Sequence, residues 1–353
     1  MTTAFDPIHI GSVRLANRIV MAPMTRSRAT EGLPTALTAE YYAQRASAGL
    51  IITEGIQPSA VGQGYPFTPG LHSQAQVDAW RVVTDAVHAE GGVIFAQLMH
   101  AGRVGHPVLL PEGMVPVGPS AVAATGQVFT PEGLKDFVTP HALTGEEIRQ
   151  TIADFATAAR NAIAAGFDGI ELHGTTGYLI HQFLAPNANQ RTDEWGGSVE
   201  NRIRFAVETV KAVVAEIGAE RTAIRIGAVP FNDISEPDAE PTYLALVEEL
   251  NKFGLAYLHF QEDADHELML RVRKEFNGPF FLNPRTGDRP TGQEDLHLIE
   301  DGTADVLTFG ARFLANPDLP ARLAAGGPYN EADRATFYGG DAKGYTDYPA
   351  LQG

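Results

Sequence analysis

Residues 169–204 read GIELHGTTGYLIHQFLAPNANQRTDEWGGSVENRIR. The stretch begins as a short apolar strand, Gly169 to Leu172, then presents His173, Thr176 and Tyr178 in quick succession. A glycine-broken polar loop follows, and a helix starts at Ser198. This is one β-then-α unit with polar side chains where the strand ends. The fold turns on how many such units the chain holds.

Upstream, Phe5 to Arg18 reads as a small hairpin turning at Gly11-Ser12, suited to plug one end of a barrel. Strand candidates follow at Arg18 to Ala22, Leu50 to Thr53, Val93 to Leu98, Gly169 to Leu172 and Thr222 to Ile226. Tyr257 to Phe260, Pro279 to Leu282 and Ala304 to Phe309 complete the series. Helices separate them. Ser73 with Gln76, and Thr144 with Glu147, are capping boxes, in which side chain and backbone satisfy each other at a helix start. Ile148, Ile152, Phe155, Ala159 and Ile163 make one apolar helical face, as do Ile203, Ala206, Val210 and Val214. Further helical segments lie near Tyr243 to Leu250, Leu268 to Phe276, Gln293 to Ile299 and Phe313 to Leu323.

Short, wholly apolar strands covered by helices are parallel strands. Eight units predict an α/β fold, a closed (β/α)₈ TIM barrel. The competing open sheet lacks a strand followed by GxGxxG. The expected organisation is one domain over residues 1–353, with the hairpin at 5–18 and a C-terminal tail at 329–353. Residues 99–143 carry no clean helix and many prolines, which predicts a lid-like excursion over the barrel mouth.

Composition narrows the chemistry. The formal net charge of −17 argues against a nucleic-acid partner. No cysteine is present, so thiolate zinc sites and cysteine nucleophiles are excluded. HExxH is missing, and His173 and His181 have no partner at ligand spacing, so no metal is expected. The first residues lack a basic and then apolar leader, and no stretch approaches a membrane span. The expectation is a cytoplasmic protein acting on a small molecule, without membrane, as a monomer or small homo-oligomer.

In such a barrel the active site lies at the strands' C-terminal ends. Those ends supply Thr25, Gly55, Gln97, His173, Arg225, Asn283 and Gly310. A glutamine offers the donor and acceptor that a flavin's pyrimidine edge requires, and an arginine stabilises the negative charge of its reduced form.

These segments resemble the Old Yellow Enzyme family of flavin-dependent ene-reductases, most closely the N-ethylmaleimide and pentaerythritol tetranitrate reductase branch. The resemblance runs through NRIVMAPMTRSRA (17–29), Glu54-Gly55, Pro69 to His72 and AQLMHAGR (96–103). It continues through HGTTGYLIHQFL (173–184), NQRTDEWGGSVENR (189–202), FLANPDL (313–319) and FYGGDAKGYTDYPAL (337–351).

The resemblance implies an FMN-dependent NAD(P)H oxidoreductase that reduces electron-poor C=C bonds of α,β-unsaturated carbonyl or nitro compounds. NADPH, or NADH, reduces FMN and leaves, and the alkene takes its place. It places the backbone of Pro23 and Met24 beside the flavin ring and the Thr25 hydroxyl on the flavin C4 carbonyl. Gly55 lets the ring approach, Gln97 binds the pyrimidine edge and Arg225 the N1 side. His173 and Thr176 address the substrate oxygen, and Tyr65 and Met99 line the substrate pocket. Tyr178 protonates Cα after hydride from flavin N5 reaches Cβ. Asn283, Arg285, Gly310, Ala311 and Arg312 complete the cofactor-binding set, with Arg285 or Arg289 left to cover the phosphate.

The chain departs from the family at the substrate-oxygen site and at the FMN-phosphate site. The family follows its histidine three residues later with Asn or His, and here Thr176 stands there. The family's Gly-Arg at strand eight is Gly310-Ala311, with Arg312 one place on. A shift of one residue turns a side chain by about 100° on a helix. The strand-seven end reads NPRTGDRPTG (283–292), which offers Arg285 and Arg289. The alternative reading is a divergent barrel that binds FMN weakly or not at all, as a non-redox isomerase or cyclase or as a small-molecule binder.

Overall fold

A computed structural model describes residues 2–351. Eight parallel strands close into a barrel. In order they are Ile19–Met21, Leu50–Ile52, Ile94–Leu98, Gly169–Gly174, Thr222–Ile226, Tyr257–Gln261, Phe280–Asn283 and Val306–Phe309, called here strands one to eight. Strand one pairs with strand eight, which closes the sheet. All eight strand candidates are present, with ends moved by a residue or two.

Successive side chains on a strand point to opposite faces, and this alternation sorts the barrel residues into two cores. Val20, Leu50, Ile52, Phe95, Ala223, Tyr257, Phe281 and Val306 fill the barrel interior. Ile19, Ile51, Ile94, Ile170, Leu172, Ile224, Leu258 and Leu307 pack outward against the helices. Each strand is buried on both faces, so it reads as a continuous apolar run in sequence.

The N-terminal hairpin pairs Ile8–Ile10 with Val13–Leu15. Ile10 and Leu15 join the interior core, so the hairpin closes the end of the barrel opposite the site. Its turn sits so close to the backbone before strand five that a Cβ on Gly11 would lie 2.0 Å from the Glu220 carbonyl oxygen.

Both capping boxes form, on helices Gln74–Ala89 and Gly145–Ala164. Ile148, Phe155 and Ala159 on the second of these are buried against the barrel. The helix Ala36–Ala43 was not anticipated. Its buried residues Thr38, Ala39, Tyr41 and Tyr42 show no simple apolar stripe. Two helical segments are corrected. Phe313 to Leu323 is not continuous but divides into Ala311–Ala315 and Leu319–Ala325. Pro317 disfavours helical backbone at the preceding residue, and Asn316 is extended, with φ −129° and ψ 90°. Gln293 to Ile299 begins as a 3₁₀ turn and is α-helical only over His297–Glu300.

The excursion after strand three holds two small sheets. Val117–Gly118 pairs with His141–Ala142, and Gln127–Thr130 forms a hairpin with Gly133–Asp136. The C-terminal tail is pinned by arginines from the segment after strand one. Arg26 donates to the Phe337 and Gly344 carbonyls at 2.9 and 2.7 Å. Arg28 reaches the Asp341 and Thr336 carbonyls, both at 3.0 Å. Tyr345 stacks on Tyr41 with ring centroids 4.0 Å apart. The last two residues of the predicted tail lie outside the described residues.

Candidate active site

The end of strand four is held by its neighbours. Thr175 Oγ1 donates to the Gly227 carbonyl beyond strand five at 2.7 Å. Thr176 has φ +52°, a left-handed conformation unusual for a β-branched residue. Asn232 Nδ2 holds its carbonyl at 2.9 Å. Gly177 follows at φ +80°, where a Cβ would lie 2.6 Å from Asn232 Cβ, and its N–H donates to His181 Nδ1 at 2.9 Å. This tight turn brings Tyr178 back beside His173, ring centroids 5.2 Å apart.

Two adjoining cavities open above the strand ends. The inner one, of about 270 Å³, is lined by Pro23, Thr25, Gly55, Gln97 and Met99. His173, Thr176, Tyr178 and Arg225 complete its predicted lining, and Phe231 and Gln261 join them. The outer one, of about 600 Å³, shares Thr25, Tyr178 and Phe231 with the inner and adds Tyr65, Phe67, Phe129 and Tyr338. The fold thus brings together most of the predicted ring and substrate residues from distant parts of the chain.

On one wall, His173 Nε2 lies 2.9 Å from Thr176 Oγ1, and the Tyr178 hydroxyl lies 3.0 Å from that of Tyr65. Burial, together with the nearby Arg225 charge, holds His173 well below the usual imidazole range, so it is neutral. Burial also pushes the Tyr178 phenol well above its usual value, so it keeps its proton. On the floor, Arg225 donates to Asn283 Oδ1 at 2.8 Å and Gln97 Nε2 to Glu171 Oε1 at 2.8 Å.

On the predicted site residues and Gln261, four buried polar atoms have no protein partner: Arg225 Nε, His173 Nδ1, Gln261 Oε1 and Arg312 Nε. Leaving buried polar groups unpaired costs about 1–3 kcal/mol each. Three of the four belong to residues lining the inner cavity. Donors and an acceptor arrayed there fit the polar edge of a planar heterocycle such as a flavin.

Of the other predicted cofactor residues, Met24, Asn283, Arg285, Gly310, Ala311 and Arg312 line neither cavity, although Asn283 holds Arg225. A Cβ on Gly310 would meet only Met24 Sδ, at 3.8 Å, so the space beside it is open. The Arg312 guanidinium stacks 4.4 Å over the Tyr329 ring. Among the described residues no carboxylate pairs with Arg312 or with the Arg285 side chain. Arg289 differs, being committed to Asp295 and Glu294 at 2.6 and 2.8 Å. Two cations left unpaired in an acidic chain, beside an open glycine, fit an anionic group.

Met99 packs directly over Gly55: a Cβ there would lie 2.7 Å from Met99 Sδ, the far end of a flexible side chain. Gln261, Phe67, Phe129, Phe231 and Tyr338 were not anticipated. Gln261 ends strand six and was findable as the strand end missing from the predicted ring. Phe67, Phe231 and Tyr338 stand on loops with no periodic signal, and Phe129 stands on the hairpin strand Gln127–Thr130 of the excursion.

Residues 3–330 match the NADH:flavin oxidoreductase / NADH oxidase family. Rice 12-oxophytodienoate reductase 1 is 44% identical over 363 aligned positions, covering 98% of this chain and 92% of that protein. A probable flavin mononucleotide-dependent alkene reductase of Leishmania infantum is 44% identical, with 98% and 96% covered. Among solved structures, morphinone reductase in complex with tetrahydroNAD superposes with a TM-score of 0.95 at 42% identity, covering 100% of this chain and 98% of that one. The Old Yellow Enzyme homologue of Zymomonas mobilis gives 0.94 at 41%, with 99% and 100% covered. With this barrel and this match along nearly its whole length, the chain belongs to the NADH:flavin oxidoreductase / NADH oxidase family, that of the Old Yellow Enzymes.

Proposed function

We propose that this protein reduces electron-poor C=C bonds of α,β-unsaturated carbonyl or nitro compounds, using FMN and NAD(P)H. The observation that carries the reading is the pairing of neutral His173 with protonated Tyr178 on one wall of a cavity floored by Gln97 and Arg225. Gln97 and Arg225 would hold the pyrimidine edge of FMN, Thr25 its C4 carbonyl, and the Pro23-Met24 backbone its ring. Arg312, with Arg285 and the Gly310-Ala311 turn, would hold its phosphate, and Asn283 orients Arg225. FMN bound there supplies the electron pair delivered to the alkene's Cβ.

The residues do the rest. His173, with Thr176, donates to the substrate oxygen and draws electron density from the double bond. Tyr178, kept protonated by burial, gives its proton to Cα, and the Tyr65 hydroxyl orients the Tyr178 O–H. Met99 bounds the inner cavity beside them. Phe67, Phe129, Phe231 and Tyr338 make an apolar approach, with the excursion 99–143 as a lid on a single barrel domain. The alternative without FMN is not favoured, since the chain's family is one of flavin oxidoreductases and one relative is named a flavin mononucleotide-dependent alkene reductase.

The protein is taken to act in the cytoplasm as a monomer or small homo-oligomer, without nucleic-acid or membrane partners. No helix among the described residues is long and apolar enough to cross a membrane.

The test is direct. Purified protein is expected to be yellow, bleached by NAD(P)H and recoloured by an enone. Colourless protein that added FMN cannot reconstitute sinks the reading. Tyr178→Phe is expected to lose about 100-fold or more in enone turnover, the low end of general-acid contributions, with bleaching by NAD(P)H retained. Full enone turnover in that variant removes the proton-donor role.

A further inference from the structure

Beneath the inner cavity the barrel interior turns from apolar to polar. Alternation along strand four points Glu171 and His173 to the same side. His173 faces the cavity, and Glu171, fully buried, lies one layer below. Barrel interiors are ordinarily filled by branched apolar side chains, so a carboxylate here calls for a reason.

Three donors converge on it. Gln97 Nε2 reaches Oε1 at 2.8 Å, and the Tyr257 hydroxyl and His259 Nδ1 reach Oε2 at 3.0 and 2.9 Å. On its far side His259 Nε2 lies 3.1 Å from Thr308 Oγ1. Burial pushes the Glu171 carboxyl up, but His259, Arg225 and Gln97 outweigh it and leave it below the usual carboxylate range. It is therefore ionised. Burial lowers His259, and its Nδ1 carries the proton facing the carboxylate, which only accepts. All three hydrogen bonds at the carboxylate run toward Glu171.

An ionised carboxylate only accepts hydrogen bonds, so the Gln97 amide must turn its NH₂ inward. Its carbonyl and second N–H are then left for the cavity. The same carboxylate sets a negative charge beneath Gln97 and Arg225. Reduction of a flavin adds negative charge at the pyrimidine edge, which Arg225 favours and Glu171 opposes.

We propose that Glu171 is a positioning residue that fixes the Gln97 amide and, with Arg225, sets the reduction potential of the bound flavin. The proposal rests on the reading that Gln97 and Arg225 hold the pyrimidine edge. It concerns a residue that touches neither flavin nor substrate.

The experiment measures the two-electron potential of the FMN-loaded protein by equilibration with a reference dye. Glu171→Gln keeps the shape and removes the charge. It is expected to shift the equilibrium about tenfold toward the reduced state, a rise of about 30 mV. Tyr257→Phe removes one donor from the carboxylate and leaves its charge less screened, so the potential is expected to fall, by about threefold in the equilibrium. A rise in the first variant supports the proposal, and no change or a fall overturns it. Should Glu171→Gln not fold, Tyr257→Phe decides: a fall supports, no change or a rise overturns. Wild-type protein that takes up no FMN overturns the reading of the site as well. Flavin-loaded wild type with unmoved variants overturns this proposal alone.

Discussion

Around the inner cavity, Gln97, His173 and Arg225 stand on barrel strands, buried, and Gln97 and Arg225 are each tied to a residue of another strand. Where strands seven and eight end, Arg285 and Arg312 stand just beyond the sheet, with no carboxylate partner among the described residues and space open beside Gly310. The first region follows the family's pattern and the second departs from it. Parallel pairing accounts for the difference. His173 lies opposite Arg225, and Arg225 opposite His259. Moving any of these by one residue would turn a polar group into the helix layer. Arg312, on the short helix Ala311–Ala315 beyond the sheet, can stand one position away and its long side chain still present a cation to an anion, because charge attraction is not tightly directional.

The most severe test of this contrast compares Arg225→Ala with Arg312→Ala. Removing the buried Arg225 is expected to weaken FMN binding about 100-fold, in line with about 3 kcal/mol for a hydrogen bond to a charged group. Removing Arg312 is expected to cost about tenfold, about 1.4 kcal/mol, and to diminish at high salt because the site is partly exposed. Release of FMN fluorescence measures both. Equal losses, or a larger loss at Arg312, would break the comparison.

A second test asks whether buried charge also governs the rim at strand two. Burial raises Glu54 from 4.5 to about 7, against the opposing pull of Arg26 and Arg28. Between those pH values the native state holds a proton that the unfolded chain has released. Stability therefore falls as pH rises through this window, by on the order of 3 kcal/mol at most. His100 acts oppositely, since burial lowers it from 6.5 to about 3. The measurement is therefore the difference between wild type and Glu54→Gln in denaturant midpoints from pH 4 to 8. The variant is expected to gain on wild type as pH rises. A difference independent of pH would show that Glu54 is ionised throughout.

The smallest effect sharpens the contrast inside the buried region itself. Thr176 holds a positive φ that asparagine tolerates better. Thr176→Asn is expected to stabilise the protein by about 1 kcal/mol and to alter the ranking of carbonyl and nitro acceptors. An unchanged or lowered unfolding midpoint would mean that the contacts of Thr176 with His173 and Asn232 outweigh the strain.

The barrel was legible because each unit announces itself locally. Apolar runs of strand length, the capping boxes at Ser73 and Thr144, and helical stripes such as Ile203 to Val214 are short-range signals that the fold leaves intact. Helix Ala36–Ala43 was missed, and Phe313 to Leu323 was read as one helix, because packing and a single proline override periodicity there. Most of the inner cavity was legible as well, since strand ends in a closed barrel converge on one rim.

Three things required the tertiary structure. Phe67, Phe231 and Tyr338 of the outer cavity come from loops whose side-chain directions follow no period, and Phe129 from a hairpin strand of the excursion. Met99 as the neighbour of Gly55 is a contact between adjoining strand ends. The Glu171 belt looked in sequence like ordinary strand residues, Glu171 between Ile170 and Leu172 and His259 between Leu258 and Phe260. Local pattern determined which residues are buried in strands. Only closure of the sheet decided which buried polar groups face one another, because that depends on the register between strands far apart in the chain.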